Sequence, residues 1–406
     1  MTIATGIAKK LTYKKETTWG VLPTAAAGQA LRRVTSNLDM KKATFQSNEI
    51  RPDYQMANFR HGMRSVDGSI SCELSVGTYK DFMATICRSA FALPLSSVAA
   101  ITITAAQTLG AAGTFTRSTG SFLTDGFKVG DVVQWSGWSA PATTNNANNF
   151  YVTALTAAVM TGTFINSTSF VSKAAGDSVT VAQAGKKVAM ATSGQVNDSY
   201  SIEHWFSDIA QSEVFTGCRL NQLDIKLPAT GFAACDLAFM GKDVVTAQAQ
   251  YFTNPTSIST GGNLASVNGI LYLAGVQVGL ITSLNIQAKA GMTSLDVVGQ
   301  NVRPDIFAGM MMVSGQMLVC FQDNTVRDIF INETEAALQC VFTTDNTATA
   351  NFIAFTMSRI KCGGANKDDG VKGLVLTIPY TALLDQNGGA GLPTNNTTLT
   401  IQDSLA

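Results

Sequence analysis

The chain has 406 residues, a length that can bury two or three hydrophobic cores at about 100–200 residues per domain. Apolar residues make up 46% of it, which excludes a disordered chain, and only 14% are charged, against about 25% in an average globular protein. The 28 basic residues balance the 28 acidic ones, which excludes the global basic field of a tight nucleic-acid binder. This composition favours a β-rich protein whose surface pairs with other surfaces, the alternative being an ordinary β protein with few surface charges.

The sequence contains no recognisable targeting or membrane segment. Residues 1–15 carry four lysines and lack the apolar core that a signal peptide requires. The apolar stretch from Phe82 to Ile103 is interrupted by Arg88 and Pro94, so we expect no membrane-spanning helix. Seven cysteines are scattered without a Cys-x-x-Cys pair, which predicts buried thiols and synthesis in a reducing cytoplasm.

One pattern of residues occurs twice, roughly 250 residues apart. Both copies contain an Arg-Pro-Asp triplet, a later glycine, a Val-x-Gly segment and a Thr-x-x-Asp segment. The first copy has Arg51-Pro52-Asp53, Gly62, Val66, Gly68, Thr78 and Asp81, and the second has Arg303-Pro304-Asp305, Gly309, Val313, Gly315, Thr325 and Asp328. Ahead of each copy, Thr35–Asp39 matches Thr282–Ile286. This spacing predicts a duplicated domain rather than a solenoid, whose repeats have about 20–50 residues.

Local patterns within both copies predict strands and a helix. Gly68 to Ser75 alternates apolar and polar residues, as Met317 to Phe321 does in the second copy, and both predict half-buried strands. After Thr78, apolar residues recur at helical spacing, which predicts a helix with Thr78 and Asp81 at its N-cap. The corresponding run after Thr325 fits either a helix or a strand.

Residues from about 95 to 192 interrupt the first copy and have no counterpart in the second. Their short apolar runs are separated by Gly- and Asn-rich turns, which predicts a small β domain that protrudes as an independent module. We therefore expect a mainly β fold with two similar β-sandwich or half-barrel domains, each with a short helix, plus this insert. The predicted bounds are 1–94 with 193–247 for the first domain, 95–192 for the insert and 248–406 for the second domain.

Residue types that support catalysis or metal binding are few. His61 lies beside the glycine of the first copy, where the second copy has Ala308, so we interpret it as a solvated loop residue. His204 has no activated nucleophile motif near it, and we interpret it as structural. Two separated histidines leave no zinc site, and residues 366–370 fit a turn better than a calcium loop. We expect no catalytic residue, metal or cofactor, and hence no enzyme.

Several segments resemble the siphophage type of phage tail tube protein. Tyr13–Gly20, with its Glu-Thr-Thr-Trp-Gly order, is similar to the N-terminal signature of that family. Ser47–Gly68 resembles its long hairpin, and Ile202–Cys218 with the turn at Leu227–Gly231 resembles its closing strands. These segments cover most of the first half outside the insert. The second half is similar mainly through its repeat of the first, and Thr124–Asp131 resembles small β modules of other phage tail proteins.

The resemblance implies a structural protein of the virion tail, a late protein made and assembled in the host cytoplasm. Its subunits would form stacked rings around a channel for genome ejection, with DNA passing through without sequence-specific binding and without membrane contact. Tape-measure, tail terminator and distal tail proteins would be further partners. Single-domain members form rings of six, so a doubled subunit implies a trimeric ring with pseudo-sixfold symmetry, which we prefer to a hexamer. The alternatives are a monomeric β-rich phage or cell-surface protein that recognises a receptor, and a glycan hydrolase on a β scaffold.

The hairpin loops are the predicted contacts between subunits. Asn48–Val66 and Gln300–Val313 keep the strongest identities of the repeat but contain few core residues, so we expect their tips to meet the next ring. The alternative is an Arg–Asp pair that closes each loop on its own domain. A double Arg51→Ala, Arg303→Ala variant is expected to fold normally and assemble poorly, because exposed ion pairs contribute little to folding. The candidate interface residues are Arg51, Pro52, Asp53, Arg60, His61, Arg303, Pro304, Asp305, Glu16 and Trp19.

Overall fold

A computed structural model describes residues 3–96, 101–167, 169–278, 281–322, 324–368, 373–385 and 393–406. The mainly β fold is confirmed, with 27 strands and two α-helices in these ranges. The first segment contains β1 (Lys9–Lys15), β2 (Gln29–Leu31), β3 (Thr35–Ser36), β4 (Asp39–Gln46), β5 (Phe59–Glu73) and α1 (Lys80–Ile86). The next contains β6 (Ile101–Leu109), β7 (Ala112–Arg117), β8 (Val132–Ser136), β9 (Phe150–Leu155), β10 (Val159–Phe164) and β11 (Ser178–Gln183), with a 3₁₀ turn at Ala142–Asn145.

The chain then continues through the strands of the first copy and those of the second. The first copy is completed by β12 (Lys186–Ala189), β13 (Tyr200–Phe206), β14 (Gln211–Pro228), β15 (Ala234–Gly241) and β16 (Asp243–Ala247). After a 3₁₀ turn at Ser266–Asn268 come β17 (Gly269–Leu273), β18 (Val276–Gln277), β19 (Ile281–Lys289), β20 (Thr293–Ser294), β21 (Ile306–Phe307), β22 (Met312–Cys320) and α2 (Thr325–Ile331). The last strands are β23 (Ala336–Thr343), β24 (Phe352–Cys362), β25 (Asn366–Lys367), β26 (Val375–Ala382) and β27 (Thr400–Asp403).

Both helices occur where the sequence placed them, and the helical alternative is correct for the second copy. The apolar residues Phe82, Met83 and Ile86 of α1 are buried, which explains the helical spacing in this segment. The predicted N-cap is wrong, because Tyr79 is the capping residue of α1 and no side chain bonds to the cap.

The two residues of that predicted cap have other partners. The Thr78 hydroxyl accepts a hydrogen bond from Ser75, with an oxygen–oxygen distance of 2.8 Å. The Asp81 carboxylate accepts one from the Tyr13 hydroxyl at 2.9 Å. Tyr13 lies on β1, so Asp81 connects α1 to the N-terminal strand instead of starting the helix.

Two antiparallel four-stranded units with the same strand order form the centre of the large sheet. The first unit has the order β4-β5-β15-β14, and the second unit has the order β19-β22-β26-β24. Val66 pairs with Gly241 in the first unit as Val313 pairs with Ala382 in the second. The repeated Val-x-Gly segments therefore occupy equivalent places in the two units.

The register also corrects the sequence match ahead of each copy. Thr35 lies opposite Ser71, and Ser283 lies opposite Leu318. Ser71 and Leu318 each lie five residues after the repeated valine. Thr35 therefore corresponds to Ser283, one residue beyond the expected Thr282.

The two halves share one continuous hydrophobic core. The buried residues of this core include Leu11, Ile70 and Leu237 from the first half, and Met317 and Phe355 from the second. Because both units bury side chains in the same cluster, each half stabilises the other.

The insert forms a closed barrel of six strands in the order β10-β7-β6-β11-β8-β9. It has its own aromatic core, in which the rings of Phe115 and Trp135 lie 4.2 Å apart. The barrel also packs against the second half of the chain. Tyr151 of the barrel stacks on Tyr272 at 5.2 Å, in a buried cluster that also contains Phe352.

Candidate subunit interface

The two four-stranded units are joined edge to edge within the chain. Strands β14 and β19 pair antiparallel, from Gln222 opposite Lys289 to Pro228 opposite Ser283, and we call this pairing the internal joint. The loop that follows β19, residues 290–311, contains the second Arg-Pro-Asp triplet and is called the second loop. Residues 47–58, between β4 and β5, contain the first triplet and are called the first loop.

The second loop crosses the internal joint and binds the first unit through Arg303. The Arg303 Nη1 and Nη2 atoms donate to Asp67 Oδ1 and Oδ2, both at 3.1 Å. Nη1 also lies 3.4 Å from the carbonyl oxygen of Gly241. Only 11% of the Arg303 side chain is exposed. A bidentate pair with this degree of burial fixes both the position and the orientation of the loop.

Asp305 makes a second contact across the joint. Its Oδ1 atom accepts from Arg219 Nη1 at 3.0 Å, and Arg219 also donates to the carbonyl oxygen of Ile306. Ile306 itself is fully buried. The backbone N–H of Arg64 donates to the carbonyl oxygen of Asn301 at 2.8 Å, which adds a main-chain contact between the first unit and the second loop.

The first loop has the opposite environment. Every residue from 48 to 58 is exposed, including Pro52. Arg60 and His61 are also exposed, but they lie at the start of β5 and not in a loop, contrary to the interpretation of His61. Arg51 and Asp53 pair with each other, with Nε–Oδ1 at 3.1 Å and Nη2–Oδ2 at 2.9 Å. These hydrogen bonds hold the pKa of Asp53 below its ordinary value.

The two triplets therefore do not share one environment. The first forms the Arg–Asp pair that the sequence offered as an alternative. In the second, Arg303 and Asp305 bind separate residues of the first unit of the same chain. Pro304 lies between Arg303 and Asp305 and is partly buried.

Glu16 is buried and Trp19 is half-buried within the chain. Buried Glu16 accepts hydrogen bonds from the hydroxyls of Ser199 and Ser201 and from the N–H groups of Gly20 and Gly217. The Trp19 indole donates to the Gly217 carbonyl oxygen at 3.1 Å.

Trp19 also flanks one of the residues that hold the second loop. The guanidinium of Arg219 lies 5.4 Å from the Trp19 ring centroid, and the Lys242 ammonium lies 5.0 Å from it. Trp19 therefore supports the residue that binds Asp305.

Sequence reasoning missed the partners of the second triplet, namely Asp67 and Arg219. Asp67 lies inside the repeated Val-x-Gly segment, where the second copy has Ser314. An acid present in one copy only, inside an otherwise repeated segment, was the available signal. No local sequence signal indicated the role of Arg219, because its partner Asp305 lies 86 residues away.

The buried histidine has a structural environment. His204 Nε2 lies 3.0 Å from the Ser36 hydroxyl, and its ring packs against Phe215. Burial, with smaller contributions from Lys9 and Arg33, lowers the pKa of His204 to about 3. No group of three or more His, Cys, Asp or Glu residues in the described ranges could hold a metal ion. No helix in these ranges is long and apolar enough to cross a membrane.

The fold is that of a β protein in which two similar four-stranded units pair edge to edge. The family model of the phage tail tube proteins matches residues 6–382. The chain therefore belongs to the phage tail tube protein family, and it is a structural component of the virion tail. Among curated proteins, none matches the chain.

Proposed function

We propose that this tail tube protein polymerises as stacked rings that enclose a channel for genome passage. The observation that carries the proposal is the internal joint, which pairs β14 with β19. By the equivalence of the two units, β3 and the start of β4 together correspond to β19, while the end of β24 together with β25 corresponds to the end of β14. The two outer edges of one chain are thus the same kind of edges that already pair within it.

Both outer edges are open in the described part of the chain. Strands β3 and β4 pair only with β5, while Lys361, Cys362 and β25 pair only with β26. An open edge carries unpaired N–H and C=O groups that favour pairing with another chain. The register of the internal joint predicts that Asn366 of one copy lies opposite Asp39 of the next.

We further propose that three copies close one ring. Each chain supplies two similar units, so three chains give six units with pseudo-sixfold symmetry, and internal joints alternate with joints between chains. The domain bounds of the sequence analysis, the assembly in host cytoplasm and the tape-measure, terminator and distal tail partners belong to the same proposal. The balanced charge of the chain supports DNA transit without sequence-specific binding.

Electron microscopy of the purified chain tests the proposed function. Hollow tubes or stacked rings are expected, because each open edge can be satisfied by a neighbouring copy. Monodisperse single chains across a wide concentration range would contradict the proposal and favour a monomeric binding protein.

A further inference from the structure

We propose that the first loop docks on the second unit of the neighbouring copy in the same ring, where Asp53 leaves Arg51 and pairs with Lys361 of that copy. The inference rests on the proposed ring assembly, but it names a lateral contact where the sequence predicted a contact between rings. The first loop is then the external equivalent of the second loop, which docks in this manner inside the chain.

The docking site follows from the equivalence of the two units. Arg219, the partner of Asp305, pairs with Met240 in the first unit. Lys361 pairs with Thr381 in the second unit. The residue after Met240, Gly241, pairs with the repeated valine of the first unit, and the residue after Thr381, Ala382, pairs with that of the second. Met240 and Thr381 are therefore equivalent, and so are their partners Arg219 and Lys361. A loop that docks as the second loop does would bring Asp53 to Lys361.

The contrast in burial supports the docking of the first loop. Ile306 follows the second triplet and is fully buried, whereas Tyr54 at the same place after the first triplet is 99% exposed. Ile50 is also completely exposed, while its counterpart Val302 is partly covered. Met56 in the same loop is 60% exposed, so the loop presents three large apolar side chains, which favours a surface that covers them.

The charges select Asp53 and Lys361 as the decisive pair. Lys361 is exposed and forms no ion pair within the described ranges. The position of Asp67 is taken by Ser314 in the second unit, so Arg51 would meet a hydroxyl and main-chain carbonyl groups rather than a carboxylate. The existing Arg51–Asp53 pair is exposed, and exposed pairs are weak enough to be exchanged on assembly.

Charge reversal tests the pair directly. Asp53→Lys and Lys361→Asp should each raise the protein concentration needed for assembly at least about tenfold, which corresponds to about 1.4 kcal/mol. The double variant should return to within about threefold of the parent, because it restores the attraction in the opposite sense. Sedimentation of assembled material measures the concentration needed for assembly in the parent, the two single variants and the double variant.

Glu49→Lys is the matched control, since it makes the same charge change in the same exposed loop. It should assemble like the parent. An equal loss for Glu49→Lys and Asp53→Lys, or a double variant no better than the single ones, would overturn the proposed pair.

Crosslinking separates lateral from axial docking. Asp53→Cys and Lys361→Cys are combined in a chain whose half-buried Cys320 and Cys362 are replaced by serine. After treatment of tubes with a short bifunctional thiol reagent, a denaturing gel should show a ladder that ends at the number of copies in one ring. A ladder that continues beyond one ring, or tubes without crosslinks, would contradict lateral docking. Failure of the parent chain to form rings or tubes would instead refute the proposed function.

Discussion

Tyr54 and Ile306 occupy the same place after the two Arg-Pro-Asp triplets, yet Ile306 is fully buried and Tyr54 is 99% exposed. The difference arises because the second loop has the first unit of its own chain to bind, and the first loop has no equivalent neighbour in a single chain. One sequence motif is thus seen in both a docked and an undocked environment.

Arg303→Ala should destabilise the isolated chain by about 2 kcal/mol, because it leaves Asp67 without its bidentate partner in a mostly buried contact. Urea unfolding of unassembled protein measures the change. Arg51→Ala is the matched control from the other copy, and its midpoint should equal that of the parent, since its pair is exposed. Equal stability of the two variants would contradict the structural role of the internal joint.

Glu16→Ala should lower the free energy of unfolding by about 3 kcal/mol. The carboxylate accepts bonds from two hydroxyls and two backbone N–H groups, and their loss leaves buried donors unpaired. Thermal or urea unfolding provides the measurement. Glu49→Ala removes an exposed acid and serves as the control. If Glu16→Ala unfolds like the parent but fails to assemble, Glu16 acts at a subunit contact instead.

His204 should make the chain less stable in mild acid. Its pKa is about 3 in the folded state because of burial, and about 6.5 in the unfolded chain. Below pH 6.5 the unfolded histidine binds a proton that the folded one does not, so the free energy of unfolding decreases as the pH is lowered. At pH 5 the loss is about 2 kcal/mol relative to pH 7.

The measurement is the difference between parent and His204→Gln in urea unfolding at pH 7 and pH 5. A difference is needed because burial raises the pKa of Asp403 to about 6, which changes stability in the opposite direction over this range. His61→Gln is the control at the exposed histidine. If the stability difference between the parent and His204→Gln is the same at both pH values, the buried ring is not the cause of the lower stability in acid.

Gln402→Ala should weaken the attachment of the barrel to the second half. The Gln402 amide accepts from the Val132 N–H at 2.9 Å and donates to the carbonyl oxygens of Val132 and Ala184 at 2.8 and 2.7 Å. Its removal takes this partner from the Val132 N–H and the Ala184 carbonyl oxygen, while the Val132 carbonyl oxygen still accepts from the Ala184 N–H at 2.9 Å. The change should cost about 2 kcal/mol. Urea unfolding and limited proteolysis near residue 184 report the change. Gln195→Ala alters an exposed glutamine and should match the parent.

The sequence predicted what depends on local pattern and repetition. The β class, the helix after Thr78, the repeated Val-x-Gly strands and the family are predicted in this way, whereas the segment after Thr325 fits a helix or a strand equally well from its sequence. The pattern Phe82, Met83 and Ile86 was sufficient for α1, because helical spacing directly reports a buried face.

Contacts between distant segments could not be predicted in the same way. Arg303 binds Asp67 across 236 residues, and no local signal distinguishes it from Arg51 in an identical triplet. For this reason, we now expect Arg303→Ala to lower the stability of the isolated chain and Arg51→Ala to leave it unchanged. The double Arg51→Ala, Arg303→Ala variant is therefore no longer expected to be as stable as the parent. Strand β12 likewise pairs with β27 at the far end of the chain, so excision of residues 96–191 would remove a strand along with the insert.

The mass of isolated rings tests the central proposal most directly. Rings released from tubes and measured by native mass spectrometry are predicted to contain three copies of the 42.8 kDa chain. Three copies place six units around the ring and repeat the internal joint between chains. Rings of six copies, or a preparation in which only single chains are found, would contradict the account.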